Sequence, residues 1–260
     1  MSSQNIYDQA DFFANYAGID RSVLGLAGAP EWPRLRALLP DLAGRRVLDL
    51  GCGFGWFCRW ARSGAPEGGG AAAVHGVDLS SNMLERARRM TSESGLDGIT
   101  YEQADLETLP LAEAETYDVV FSSLALHYLV SLPRLVRGVH RALRPGGAFV
   151  FSVEHPIFTA PSRPGIVKVQ GEDGKERRYW PLDDYQREGL RVTDWLAEGV
   201  RKQHRTAGTY IGLLLEAGFE LTAFDEWFPR DGELADKQEW ERNEMVKPTF
   251  LLVRAVKKAV

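Results

Sequence analysis

Residues Val47-Leu-Asp-Leu-Gly-Cys-Gly-Phe-Gly-Trp56 constrain this chain more than any other segment, because a short apolar run leads straight into three alternating glycines and then into helical spacing. An apolar run of that length bounded by glycine reads as a buried strand, and a strand that turns directly into a helix opens a parallel α/β sheet. At the carboxyl edge of such a sheet, missing side chains let a ligand approach the backbone amides and the helix N-terminus. An adenosine-containing cofactor suits that place. Glycines also close tight turns for steric reasons alone, so a second signal is needed. Gly76-Val-Asp-Leu-Ser80 provides it. The first crossover brings Asp78 beside the glycine turn, where a carboxylate can accept from both ribose hydroxyls, although Asp78, Ser80 and Ser81 also qualify as helix N-caps. The dinucleotide spacing G-x-G-x-x-G would need glycine where this chain has Trp56, which speaks against a nicotinamide enzyme.

The rhythm begun at the glycine turn continues through residue 155. Strands are predicted at Arg46–Leu50, Val74–Asp78, Ile99–Ala104, Tyr117–Ser122 and Ala148–Val153, with helices at Trp56–Arg62, Ser81–Ser92 and Leu132–Leu143. Such alternation predicts a Rossmann-like, doubly wound, mostly parallel sheet covered on both faces. Beyond 155 the pattern breaks. Three prolines fall within 156–165 (Pro156, Pro161, Pro164), and Ile166–Gln170 and Glu176–Trp180 flank an Asp-Gly turn as a hairpin. A helix over Thr206–Ala217 and late strands at Phe219–Phe228 and Thr249–Val256 complete seven strands, the last one antiparallel, with the final pair joined without a helix. One domain over 1–260 is therefore expected: an N-terminal helical cover (1–43), a cofactor-binding core (44–155), an inserted lid after the fifth strand (156–204) and a C-terminal completion of the sheet (205–260). The acid-rich run 225–244 reads as a solvated surface loop.

Thirty-one Lys and Arg against 36 Asp and Glu give a formal charge of −5, which disfavours binding a nucleic-acid polymer. No apolar window reaches membrane-span length and the start lacks a signal-peptide pattern, so a cytoplasmic protein without a membrane partner is expected. Two cysteines, Cys52 and Cys58, are too few for a multi-cysteine metal site, and no metal is expected.

Four ordered motifs make the chain resemble the class I S-adenosylmethionine-dependent methyltransferases, in particular the type-11 group that acts on small molecules. They are Val47–Gly55, Gly76–Ser80 with Met83-Leu84, Gln103-Ala-Asp-Leu106, and Tyr117–Ser122 with its tail Leu126-His-Tyr128, backed by Leu143-Arg-Pro-Gly-Gly147. The resemblance covers residues 40 to 155. It implies S-adenosyl-L-methionine as cofactor, with Gly51, Cys52 and Gly53 against its methionine moiety and Asp49 supporting the ammonium. It implies Asp78 on the ribose, Asp105 with Ala104 at the adenine amino group, and Leu79, Met83 and Leu106 around the ring. Ser122 is implied at the methionine end and Tyr16, from the aromatic cover, at the carboxylate; Tyr16 fits plain aromatic packing equally well. Two departures stand out. The link Gly64–Ala73 is longer than the family usually carries and should bulge away from the cofactor. Ser122-Ser-Leu-Ala125 occupies the place of the Asn/Asp-Pro-Pro-aromatic motif of base methyltransferases, which speaks against base methylation.

Methyl transfer from a sulfonium is an in-line displacement that needs alignment, exclusion of water and removal of any proton on the nucleophile. His127 and His155 follow the fourth and fifth strands at their carboxyl ends, and His204 precedes the helix after the lid. Each is a candidate general base or a satisfied structural histidine. Glu154 and His155 point to opposite faces, so one of them faces the pocket; His155 is the preferred base and Glu154 the second choice. His75 and His140 read as structural. Aromatics of the lid (Tyr179, Trp180, Tyr185, Trp195) and ten Lys and Arg against eight acids between 156 and 210 suit a small acceptor of aromatic or anionic character. The alternatives are an NAD-dependent oxidoreductase, or a cofactor-binding relative acting on a protein or RNA partner.

Overall fold

Every apolar run of the first 155 residues pairs with its neighbours in one seven-stranded sheet of order β10-β11-β5-β4-β1-β2-β3. The computed structural model describes residues 3–63, 69–111, 114–230 and 238–259. The chain begins with a single helical turn, Ile6–Asp8, and the short helices α1 (Ala10–Ala17), α2 (Asp20–Val23) and α3 (Trp32–Ala37). There follow β1 (Arg46–Leu50), α4 (Trp56–Arg62), β2 (Ala73–Asp78), α5 (Ser81–Glu93), β3 (Ile99–Gln103), β4 (Tyr117–Ser123), α6 (Leu132–Ala142) and β5 (Leu143–Glu154). These five strands are parallel.

Residues 156–204 hold α7 (Pro156–Thr159), the antiparallel pair β6 (Val167–Gln170) and β7 (Glu176–Tyr179), and a second pair, β8 (Gly189–Thr193) and β9 (Val200–His204). Then come α8 (Ala207–Glu216), β10 (Phe219–Glu226), α9 (Gln238–Glu244) and β11 (Phe250–Lys257). β11 enters between β5 and β10 and runs antiparallel to both.

Strand alternation divides the core into two layers. Leu48, Leu50, Val120, Phe149, Phe151 and Val153 face α6 and α8 on one side. Val47, Val119, Phe121, Ala148 and Val150 face α3 and α4 on the other, where the Phe57 and Phe121 rings stack at 3.7 Å.

Two expectations fail here. The final strand pair is not joined without a helix, because α9 lies in the connection. Nor is 225–244 a solvated loop throughout: Asp225 and Glu226 belong to β10, and Glu244 is buried, accepting from Lys247 Nζ at 2.7 Å and from the Thr249 amide at 2.9 Å. Residues 231–237 of that run lie outside the described residues, as do 64–68 of the glycine-rich link.

Candidate functional site

The glycine turn is bolted to the neighbouring strand. The amides of Gly51 and Cys52 both donate to the Val77 carbonyl, at 2.8 and 3.0 Å. Gly51 sits at φ +76°, where a Cβ would stand 2.4 Å from the Ala125 methyl, so only glycine fits between β1 and the chain leaving β4. Gly53, at φ +51°, has nothing within 4 Å of its Cβ position and leaves an open cradle. Asp78 spans this turn from the end of β2, accepting from the Gly53 amide at 2.8 Å and the Ser80 amide at 2.9 Å. Burial raises its pKa against those two bonds, and Asp8 adds to the rise. Ser80 caps α5, accepting from the Met83 amide.

Asp49 is buried beneath the turn and accepts from the Cys58 thiol at 3.2 Å. Burial pushes its carboxyl up to about 7, opposed by that bond and reinforced by the Asp78 charge. Burial likewise pushes the Cys52 thiol up to about 11, leaving it protonated and inert. Met83 and Leu106 are buried, while Leu79, Ala104 and Asp105 line the same edge half-exposed. Asp105 Oδ1 accepts from the Glu107 amide at 2.9 Å and from Ser3 Oγ at 2.8 Å. Ser122 does not offer its hydroxyl to the site as implied: it is fully buried and donates to the Leu50 carbonyl at 2.7 Å, tying β4 to β1.

The N-terminal segment folds over this edge. Asp8 accepts from Ser81 Oγ and the Ser81 and Asn82 amides at the start of α5, at 3.2, 3.3 and 3.1 Å, and from Ser80 Oγ. Tyr16 meets Phe54 of the turn at 5.8 Å, Tyr7 at 5.2 Å and Trp195 at 6.3 Å, all edge to face. Tyr7 Oη lies 3.1 Å from Tyr128 Oη. Cover and insertion are joined: Gln4 donates to the Gly199 carbonyl at 2.9 Å and Asn15 to the Leu196 carbonyl at 2.8 Å. Arg21, which the sequence did not single out, is brought beside Tyr16 and pairs with the buried Glu31 at 3.0 Å.

None of the three candidate histidines offers a basic nitrogen. His155 Nδ1 accepts from the Ile157 amide at 3.0 Å, capping α7, and its other nitrogen donates to Glu226 at 2.9 Å. The preferred base is therefore a structural cap facing away from the pocket. His204 donates through Nε2 to the Tyr185 carbonyl at 2.9 Å, and its Nδ1 accepts from Thr159 at 2.8 Å. His127 Nδ1 accepts from the Glu154 amide at 3.3 Å, which leaves the proton on Nε2, and burial pushes its pKa down to about 4. Glu154 takes the opposite face from His155. Its Oε1 accepts from Lys202 Nζ of β9, a buried ammonium lying 5.1 Å from the Trp195 ring centre, and its Oε2 is buried without a donor.

Arg191 donates to the carbonyls of Ala160, Asp184 and Arg187, and Arg205, just past the insertion, to those of Leu129 and Val130, while Arg177, Arg178 and Arg187 pair with Asp173, Glu176 and Asp184. Among the described residues no three His, Cys, Asp or Glu side chains gather as a metal site, and no helix is long and apolar enough to cross a membrane.

Comparison with known proteins agrees with this geometry. The profile of the methyltransferase domain family matches residues 48–151. A solved S-adenosylmethionine-dependent methyltransferase from Mesorhizobium loti is 52% identical, with a TM-score of 0.79 over 89% of this chain and 100% of that one. The chain belongs to the S-adenosylmethionine-dependent methyltransferases. An uncharacterised protein of Haemophilus influenzae is 32% identical over 97% of both chains. A malonyl-[acyl-carrier protein] O-methyltransferase of Enterobacter lignolyticus is 41% identical, over 45% of this chain and 42% of that protein.

This methyltransferase presents a site that fits its cofactor. The open cradle at Gly53 leaves room for the methionine moiety, and the Asp78 carboxylate keeps lone pairs for two hydroxyls beyond the amides it already holds.

Proposed function

We propose that this methyltransferase acts on a small-molecule acceptor bound between the N-terminal cover and the 156–204 insertion, which serves as its lid. The observation that carries the proposal is the cover itself: Tyr7, Tyr16, Tyr128 and Trp195 meet over the glycine turn, and enclosure of that kind suits a compact acceptor. The cofactor supplies an electrophilic methyl group on a sulfonium. Asp49 is assigned to its ammonium, Arg21 and Tyr16 to its carboxylate, Asp78 to the ribose, and Asp105 with Leu79, Met83 and Leu106 to the adenine. Gly51, Cys52 and Gly53 lie along the methionine moiety. Closure of cover on lid excludes water and aligns acceptor with methyl.

Where the acceptor carries a proton, Glu154 is the group to take it. His127, His155 and His204 each use Nδ1 as an acceptor toward the protein, so only Nε2–H remains. The likeness to the malonyl-[acyl-carrier protein] enzyme spans under half of either chain, so its acceptor is not carried over.

Calorimetric titration with S-adenosylhomocysteine, run beside NADH, tests the assignment. Selective binding of the homocysteine compound, weakened about tenfold or more by Asp78→Ala, is expected, a loss of one or two hydrogen bonds to a charged group. Binding indifferent to Asp78→Ala would overturn the site; selective binding that the variant weakens opens a screen of candidate acceptors by a mass gain of one methylene.

A further inference from the structure

Glu154 carries one oxygen with a partner and one without. Oε1 receives the Lys202 ammonium, whereas Oε2 is buried and receives no donor from the protein. A carboxylate oxygen withheld from water and left undonated is unfavourable, so a donor is missing at that point. Nearby, His127 has its Nδ1 engaged by the Glu154 amide, its remaining ring nitrogen is a donor, and the Glu154 charge acts on the ring, so the two side chains are close neighbours. An acceptor that reaches both would meet one hydrogen-bond acceptor and one donor.

Charge narrows the choice. An ammonium would be brought against Lys202, and a carboxylate against Oε2. A hydroxyl satisfies both partners, giving its proton to Oε2 and accepting from His127. Acidity narrows it again. A carboxylate is a weak base, matched to hydroxyls with pKa near that of a phenol, about 10, and poorly matched to aliphatic alcohols. The surrounding walls are rings: Tyr7 and Tyr128 meet at 6.1 Å, and Phe12, Tyr16 and Trp195 pack with them edge to face or stacked. Flat apolar walls favour a flat guest.

We propose that the acceptor is an acidic hydroxyl on a flat ring, a phenol or enol, held between Glu154 Oε2 and the His127 N–H. This rests on the proposed function and narrows it to O-methylation. The hydroxyl proton passes to Oε2, and the oxygen electron pair forms the new O–C bond. The S–C bond of the sulfonium donor breaks with its pair returning to sulfur, giving a methyl ether and a neutral thioether, and the proton then leaves Glu154 for solvent. Lys202, reaching in from β9, is a positioning residue that holds the carboxylate in place once the lid is down.

The test uses 4-nitrophenol, whose anion absorbs where the neutral phenol does not, titrated into the full chain saturated with S-adenosylhomocysteine. Bound beside a carboxylate, the probe should stay protonated, its ionisation midpoint raised by about one pH unit or more over the free compound. Glu154→Gln should abolish that rise while leaving S-adenosylhomocysteine affinity within about twofold, a split that a merely structural glutamate would not produce. Because Glu154→Gln leaves the Lys202 ammonium unpaired, the double variant Glu154→Gln with Lys202→Met should give the same readout in a pocket free of buried charge. With S-adenosylmethionine, phenols rather than anilines or benzoates should gain the methyl group, about 10²–10⁴-fold more slowly in Glu154→Gln. The proposal is overturned if 4-nitrophenol fails to bind a protein that binds S-adenosylhomocysteine normally, if its midpoint ignores Glu154→Gln, or if amines or carboxylates are methylated instead. Failure to bind S-adenosylhomocysteine at all would bring down the parent assignment.

Discussion

Asp49 is a carboxyl that folding makes a weaker acid, which fixes the sign of its contribution. Below pH about 4 it is protonated in both states; as pH rises toward about 7 the unfolded chain ionises it first and the folded state loses relative stability. Raising a carboxyl from about 4 to about 7 costs the folded state about 4 kcal/mol once the pH exceeds both values. The stability of wild type relative to Asp49→Asn, from urea melts, should therefore fall between pH 4 and 7 and stay level above; parallel profiles would sink the assignment. Outside the pocket, His155→Ala removes a cap on α7 and the bond to Glu226, so a loss of about 1–2 kcal/mol is expected with S-adenosylhomocysteine affinity unchanged. Reduced affinity in an equally stable variant would return His155 to the pocket. Both residues illustrate what the chain made legible. Asp78 follows from a strand ending beside the glycine turn, and Asp49 from the family resemblance of the first motif. The choice between Glu154 and His155 depends on which face of β5 looks into the pocket, a parity that a one-residue difference inverts.

At the scale of elements, the first helical turn of the cover is held to α5 through one carboxylate. Asp8 lies at the positive end of α5 and accepts from Ser80, Ser81 and Asn82. Those bonds lower its pKa despite the opposing effect of burial, so this contribution is present above the unfolded value near 4 and is lost as pH falls through the folded one. Asp8→Ala should cost about 1 kcal/mol and expose residues 3–17 to limited proteolysis at neutral pH, as wild type should be only once the pH falls below the lowered folded value. Unchanged cleavage would show that the cover is held elsewhere. The sheet and its crossovers were legible because their apolar residues face inward with the period of their element. The β8–β9 pair was not, since Leu190 and Val192 point to solvent while Arg191 turns inward to backbone carbonyls, the reverse of the usual alternation. Nor was α9, whose acids look solvated until Glu244 is seen buried with Lys247. Arg21 and Lys202 reach the site from segments with no motif of their own.

For the whole molecule, Gln4 and Asn15 tie the N-terminal segment to the 156–204 insertion, and a ligand bound to the folded chain should stabilise it as a whole. S-adenosylhomocysteine at about 100 times its Kd should add about 2.7 kcal/mol, raising Tm by about 5–10 °C. Asp78→Ala at the same ligand concentration should forfeit most of that rise, whereas an equal rise in the variant would mean that the ligand sits elsewhere. The strand order has a consequence of another kind. β11 leaves the ribosome after every other strand, yet its place is between β5 and β10. Until it emerges, β5 carries a bare hydrogen-bonding edge and β10 has no neighbour, so the nascent chain must wait with an open seam that another chain could enter. Synthesis that stalls before Phe250 should thus yield a sticky intermediate, and the last strand acts as the fastener that ends this vulnerable period.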